Sequence, residues 1–403
     1  MKRSLGSSDE LTSPGVATLD REETSRVKPT RSGPLPEAPR SSQLFYRVCL
    51  FVLFVLASAA SFSSFYEKWH FREAGGRGDD PIAGFDRMID GTANRPYVYR
   101  QLLPDIANWL TRGLPIDAIS RRTPVRAKQR ISVAFNLQSK TYPAQYMIVY
   151  ILTYLSALLA TFALYLLCRA ADLPPPAAVF ASVVFMLLFP LIGVKGGYFF
   201  DYPELLFMAT GAWIALRFDW WWTIPVVALG AWNKESFLLF TFTLYPLLRL
   251  RYSRAISSLG VGILAAICAV VYLPIRWHFA HNPGGTVEWH LKDQIHFYLH
   301  PFTMDTWIDR TYDLMFPALS SPLSTLLLIW MVWKMWRHLP LWVKWNAKIA
   351  AIINVPLYLL FCQPGEYRDL SLLFTSFFMI IAVGMQRWIQ ASVQREPIPS
   401  SAD

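Results

Sequence analysis

The sequence predicts an all-α fold, a polytopic helical bundle integral to a membrane. Hydrophobic residues make up 54% of the 403-residue chain and charged residues only 16%, against about 25% charge in an ordinary soluble domain. The apolar residues gather in long blocks that reach or approach the roughly 20 residues a helix needs to cross a bilayer core. No block alternates with period two, which argues against a transmembrane β-barrel.

In chain order, residues 1–40 are rich in Ser, Pro, Arg and Glu. They offer too little apolar surface to offset the entropy of ordering, so a disordered cytoplasmic tail is expected. The block from Leu44 to Phe65 starts too late and runs too long for a signal-peptide core of about 7 to 15 residues, and is read as a retained span. Ala144 to Leu167, Ala177 to Val194, Ala255 to Ile275 and Leu370 to Val383 are further spans. Trp220 to Leu250 divides at Asn233-Lys234-Glu235-Ser236 into two halves, each short of a full crossing. A shallow hairpin or a broken helix is expected there, with one long helix burying a Lys-Glu pair as the competing reading. The transmembrane domain then occupies residues 41–390 with about ten spans, outer loops at 66–142 and 277–321, and a cytoplasmic tail at 391–403. Within the first outer loop, Tyr97 to Leu110 reads as an amphipathic helix lying in the interface.

The net charge of +10 is spread over the connections between spans, a distribution that membrane topology explains and that disfavours nucleic acid as a partner. Arg26, Lys28, Arg31, Arg40 and Arg47 precede the first span and set the N-terminus in the cytoplasm. Alternate connections then carry Arg169, Arg217, the group Arg249, Arg251 and Arg254, and the group Lys334, Arg337, Lys344 and Lys348. Arg387 and Arg395 put the C-terminus on the same side. Arg121, Arg122, Arg126, Lys128 and Arg130 fall in the first outer loop, either solvated or facing anionic headgroups or a lipid-linked phosphate. Cys49, Cys168, Cys268 and Cys362 lack metal-like spacing and read as buried structural thiols. There is no G-x-x-x-x-G-K-[ST], no G-x-G-x-x-G after a strand and no G-x-S-x-G elbow, so nucleotide-driven transport and serine hydrolysis lack their markers. No cofactor is indicated, while a divalent metal stays open. His278, His281, His290, His296 and His300 cluster in one outer loop, but without a carboxylate pattern they are weak as a metal site.

Chemistry-bearing residues collect on the predicted outer face. Asp86 and Asp90 lie at i, i+4 and would share a helical face, with Arg95, Tyr99 and Arg100 close in sequence. A carboxylate there could take a proton from an attacking hydroxyl while arginines hold a phosphate leaving group. An ion-pair network with interfacial tyrosines is the alternative. Asp201 and Glu204 open a span, where acids also complement a helix N-terminus. Lys234 and Glu235 interrupt apolar sequence, where an unpaired charge would be expensive; they are read as functional or as a structural ion pair. Glu366 and Arg368 follow a Pro-Gly turn, at a tip that is either a site or merely solvated.

This layout resembles the type-C glycosyltransferase superfamily: an acidic first outer loop soon after span one, membrane-parallel amphipathic sequence at Tyr97 to Leu110, further spans, and basic residues on outer loops. The likeness is one of organisation over most of residues 44–390, without a diagnostic motif. It implies a polytopic enzyme that takes a sugar from a polyprenyl-phosphate-type donor on the non-cytoplasmic face. It also implies an acidic base in the first outer loop, for which Asp79, Asp80, Asp86 and Asp90 are eligible by position, Asp86 first and Asp90 next. Arg95, Arg100, Lys234 and Arg368 would hold the donor phosphate. The acids here stand at Asp79 to Asp90 rather than directly after the span, and no soluble outer domain follows. A bacterial inner membrane is the expected location, with the bilayer and a lipid-linked saccharide as partners. A polysaccharide polymerase, a transporter or flippase of a lipid-linked saccharide, and a noncatalytic envelope-assembly subunit are the other readings.

Overall fold

The computed structural model describes residues 40–69, 82–113, 142–193, 196–285, 289–300 and 308–395. It is 77% helical, and five helices are long and apolar enough to cross a membrane. Two of the sequence's expectations, the disordered tail at 1–40 (all but Arg40, which opens the first helix) and the basic patch from Arg121 to Arg130, lie outside the described residues, as do Asp79 and Asp80. The chain divides into Met1–Tyr46 and Arg47–Asp403. In the first unit Leu44, Phe45 and Tyr46 are exposed; the packed bundle belongs to the second.

The helices run in the order α1 (Arg40–Glu67), α2 (Phe85–Ile89), α3 (Leu102–Gly113), α4 (Pro143–Ala170), α5 (Pro175–Ile192), α6 (Asp201–Arg217) and α7 (Thr223–Asn233). They continue as α8 (Phe237–Thr243), α9 (Tyr245–Leu248), α10 (Arg254–His278), α11 (Leu291–Leu299), α12 (Pro322–Trp336), α13 (Leu341–Phe361) and α14 (Phe374–Arg395). Short 3-10 turns stand at Tyr97–Tyr99, Trp220–Trp222 and Tyr367–Leu373. The spanning candidates coincide with the five long apolar blocks of the sequence. A departure from the all-α expectation is the antiparallel hairpin of β1 (Ile308–Thr311) and β2 (Leu314–Pro317) between α11 and α12. Its two-residue turn, Tyr312 and Asp313, has both φ positive, the backbone that suits a tight hairpin. Tyr312 is held there by its N–H to Ser64 Oγ at 2.8 Å and its hydroxyl to Leu187 O at 2.7 Å.

The core is built where small residues let helices approach. α4 presents Ala157, Ala160 and Ala163, and α6 presents Ala209, Ala212 and Ala215, all buried; among the described residues these two helices share the most extensive contact in the bundle. Hydroxyls then fill the polar gaps. Pro190 lies inside α5 and has no N–H to give the Met186 carbonyl four residues earlier. Ser61 Oγ donates to that carbonyl at 2.6 Å, and lies 2.8 Å from the Tyr202 hydroxyl. Outward faces are apolar: Leu323, Leu326, Ile329, Trp330 and Trp333 of α12 are all more than half exposed. Among the cysteines, Cys168 and Cys268 are buried as expected, but Cys49 is exposed because it stands on the outer face of α1.

The stretch Trp220 to Leu250 is broken, which removes the single-helix reading. α7 stops at Asn233, Lys234 is extended at φ −159° and ψ 141°, and α8 starts at Phe237. Gly230 makes the return possible, since a Cβ there would stand 2.2 Å from the ring of fully buried Phe237. A Gly230→Ala variant gains roughly 1 kcal/mol of helix propensity but overpacks the core at about 1–3 kcal/mol, and the rigid ring has nowhere to go. A lowered Tm of the purified protein in detergent is expected; an unchanged or raised Tm would show that the break does not depend on this contact.

Candidate functional site

The segment Tyr198-Phe199-Phe200, which leads into α6, organises the site. Tyr198 and Phe200 point the same way and stack at 5.0 Å with an interplanar angle of 11°. The Arg368 guanidinium lies 4.3 Å from the Tyr198 ring centre and that of Arg100 4.3 Å from the Phe200 ring centre, cation–π distances that count for more when water is scarce. Tyr97, in the turn before Arg100, adds its ring beside Tyr198 at 5.6 Å.

Asp201 and Glu204 stand in the first turn of α6, where the helix dipole favours acids. They do more than cap it. Lys234, extended at the helix break, brings Nζ to 2.8 Å from Glu204 Oε2, 3.6 Å from Asp369 Oδ1 and 3.9 Å from Asp201 Oδ1. Glu204 Oε1 also accepts from Ser236 Oγ at 2.6 Å and Ser371 Oγ at 2.7 Å. Arg368 Nη1 is 3.5 Å from Asp201 Oδ2 and Nη2 3.1 Å from Glu366 Oε1. Arg100 Nη2 meets Glu235 Oε1 at 2.8 Å. Backbone anchors hold the parts in register: Asn233 Nδ2 donates to Phe200 O at 2.9 Å, and Asn354 of α13 both donates to Asp369 O at 2.8 Å and accepts from Leu372 N at 3.0 Å.

The result is a buried network of three cations (Arg100, Lys234, Arg368) and five carboxylates (Asp201, Glu204, Glu235, Glu366, Asp369). Taking such groups out of water costs several kcal/mol each, and only multiple close partners offset it. Glu366 stands in the turn before the last long apolar helix. Burial raises its pKa, and the neighbouring Asp369 adds to this against the pull of Arg368. Access is uneven: the Glu235 side chain is 33% exposed, while those of Asp201 and Glu204 are nearly closed off. Among the described residues, Asp201 Oδ1 and Arg368 Nε are buried without a hydrogen-bond partner.

Of the residues singled out from sequence, Arg100, Asp201, Glu204, Lys234, Glu235, Glu366 and Arg368 therefore converge. The others do not. Asp86 is half-buried on α2 and Asp90 is exposed at its end, where Oδ1 accepts from the Tyr142 hydroxyl; the network's ion pairs among the described residues include neither. Arg95 ties the segment between α2 and α3 to the 282–284 turn, its Nη2 donating to Gly284 O at 2.5 Å and its N–H to Pro283 O at 2.9 Å. Tyr99 is a core residue, 3% exposed and edge-on to Tyr272 of α10. Sequence reasoning passed over Asp369, Tyr198, Phe200, Ser236 and Ser371. Asp369 carried the same signal as Lys234, a charge adjoining a long apolar run, whereas the serines carried none. His296 of α11 and His300, the residue just past its end, have ring centres 4.4 Å apart. No group of three or more His, Cys, Asp or Glu residues that could hold a metal stands among the described residues. Comparison with protein families, curated proteins and solved structures gives no match.

Removing Lys234 leaves Glu204, Asp201 and Asp369 without their shared cation. Lys234→Met is expected to lose about 3–5 kcal/mol of stability, read as the denaturation midpoint in detergent. Breaking the exposed Arg310–Asp313 pair with Arg310→Ala should change it by about 0–1 kcal/mol. Equal effects would contradict a buried hub. Glu366 gives a pH signature. Because its folded pKa is raised above the usual 4.5, its contribution is fully present below that value and is lost as pH rises through the folded pKa. Between about pH 5 and about pH 8, the Tm of the wild type should fall relative to that of Glu366→Gln; parallel curves would show that Glu366 is ionised throughout.

Proposed function

We propose that this chain is a membrane glycosyltransferase that moves a sugar from a polyprenyl-phosphate-type donor to an envelope glycan or lipid acceptor at the non-cytoplasmic face. The observation that carries the reading is the convergence of Arg100, Lys234 and Arg368 with a set of carboxylates at a helix break, on residues the sequence assigns to outer connections. Glycosyl transfer from a lipid phosphate asks for both kinds of group. An acceptor hydroxyl must lose its proton to a base, and the departing phosphate must be met by cations. Glu235, the most accessible carboxylate of the network and paired with Arg100, is the proton acceptor in this reading. Arg100 and Arg368 receive the phosphate by exchanging carboxylate contacts for phosphate ones, and the partnerless Arg368 Nε adds a donor. Asp86, on α2, and Asp90, just past its end, which the resemblance nominates as base, join none of the network's ion pairs among the described residues. About ten crossings follow if α6, α7, α8 with α9, α12 and α13 are counted beside the five long helices. The positive-inside pattern then supports cytoplasmic termini, and the envelope acceptor supports a bacterial inner membrane.

The test is transfer by the purified protein in nanodiscs, supplied with polyprenyl-phosphate sugars and an envelope lipid or glycan acceptor. Wild-type turnover is expected, reduced at least about 100-fold, the usual scale of general-base loss, in Glu235→Gln, with Asp90→Asn close to wild type. Normal turnover in Glu235→Gln together with loss in Asp86→Asn or Asp90→Asn would return the base to α2. A second reading, translocation of a lipid-linked saccharide, draws on the broken helix with charges at its gap, a device transporters use at binding sites. Movement of a labelled lipid-linked sugar between leaflets without any transfer would favour it.

A further inference from the structure

Beside the ionic network lies a separate recess of about 430 Å³, open to the outside, lined by Asp105, Ile106, Asn108, Trp109 and Arg112 of α3 and by Trp232 of α7. Its size falls in the range of small-molecule sites, and its lining mixes aromatic surface with a few polar groups. The two helices that wall it also serve the network. Arg100 stands just before α3, and Lys234 follows α7 two residues after Trp232. Trp232 is fixed in place, since its Nε1–H donates to Asp105 Oδ2 at 3.0 Å. That bond leaves Asp105 Oδ1 as an acceptor. Asn108 is partly engaged, its Nδ2 donating to Ile89 O at 3.0 Å. Trp109 is 71% exposed and Arg112 is exposed, so both are free to meet a ligand.

The lining discriminates among ligands. An acyl chain would bury Asp105 and Arg112 against hydrocarbon, which is costly. A phosphate would face the Asp105 carboxylate as well as Arg112. A neutral polyhydroxylated ring satisfies every group, because its C–H face packs on indole while its rim hydroxyls donate to carboxylate and amide oxygens and accept from guanidinium. We propose that this recess is a saccharide subsite, binding one glycosyl unit against Trp109 and Trp232 with its hydroxyls on Asp105, Asn108 and Arg112. Under the transferase reading it seats a sugar of the acceptor or donor on the two helices that adjoin Arg100 and Lys234; the binding itself does not depend on that reading.

The experiment is binding of a panel of methyl glycosides of hexoses and N-acetylhexosamines to the full chain in phosphatidylcholine nanodiscs, followed by saturation-transfer NMR and calorimetry. At least one glycoside should bind, at least about tenfold more weakly in Trp109→Ala and in Arg112→Ala, whose exposed positions leave the Tm unchanged. Trp232→Phe, which keeps the ring and loses the bond to Asp105, should weaken it less than Trp109→Ala. Absence of binding by the wild type, or equal binding by Trp109→Ala and Arg112→Ala, overturns the subsite. So does binding that is abolished by anionic lipid in the nanodisc, which would make the recess a headgroup site. The two proposals separate cleanly: turnover with unchanged KM in Trp109→Ala sinks the subsite alone, and glycoside binding without any transfer sinks the transferase reading alone.

Discussion

The charge network at the helix break depends on one ammonium group, that of Lys234. A lysine 5% exposed is tolerable only because Glu204, Asp201 and Asp369 surround it, and those acids are tolerable only because of the lysine. The mutual need of these charges dictates local backbone. α7 must stop so that Lys234 can be presented from an extended residue, α6 must begin at Asp201 so that its first turn faces the gap, and the 3-10 turn at Tyr367–Leu373 must bring Asp369 and Ser371 across. Helix ends supply unpaired backbone groups and dipoles that a continuous helix would not, so the break is both the origin and the beneficiary of the charge cluster.

The long apolar blocks were legible because composition and length alone decide whether a helix can cross a bilayer, and the five blocks read from sequence are the five long apolar helices of the structure. The break at Asn233 to Ser236 was legible for a related reason, since charge inside apolar sequence must be reconciled with its surroundings. Which acid meets which base was not legible. Asp86 and Asp90 had the spacing of a shared face and the positions a family resemblance favours, yet position along an outer loop says nothing about whether it folds over the network or beside it. Arg95 and Arg100 looked equivalent in sequence and have different duties: one hydrogen-bonds the backbone of a neighbouring turn, the other pairs with Glu235. Tyr198 and Phe200 carried no charge to draw attention, although both arginines of the network rest on them. The β1–β2 hairpin was missed because its strands are only four residues each, shorter than periodicity can detect.

The 282–284 turn and the β1–β2 hairpin are joined to their neighbours by a few specific bonds. The 282–284 turn holds the segment after α2 through Asn282, which donates to Gly91 O and Ala93 O at 2.8 and 2.9 Å. The hairpin is held by Tyr312 and by the pairing of Lys68 with Asp309 of β1. Burial lowers the Lys68 pKa and raises that of Asp309, so this pair costs solvation and contributes position. Lys68 also donates to Pro190 O at 3.0 Å, which ties the end of α1 and the end of α5 to the same hairpin.

The stacked rings of Tyr198 and Phe200 act as a common mount. Arginine side chains are long and rotamer-rich, and two of them contributed by opposite ends of a chain would ordinarily have independent positions. Here each guanidinium is seated on one face of a single rigid aromatic pair, so the spacing of the two charges is written into three consecutive residues rather than into the loops that deliver them. The loops before Arg100 and Arg368 can therefore drift in sequence and length while the electrostatic geometry is kept, whereas one change at position 198 or 200 would displace charge at both ends at once.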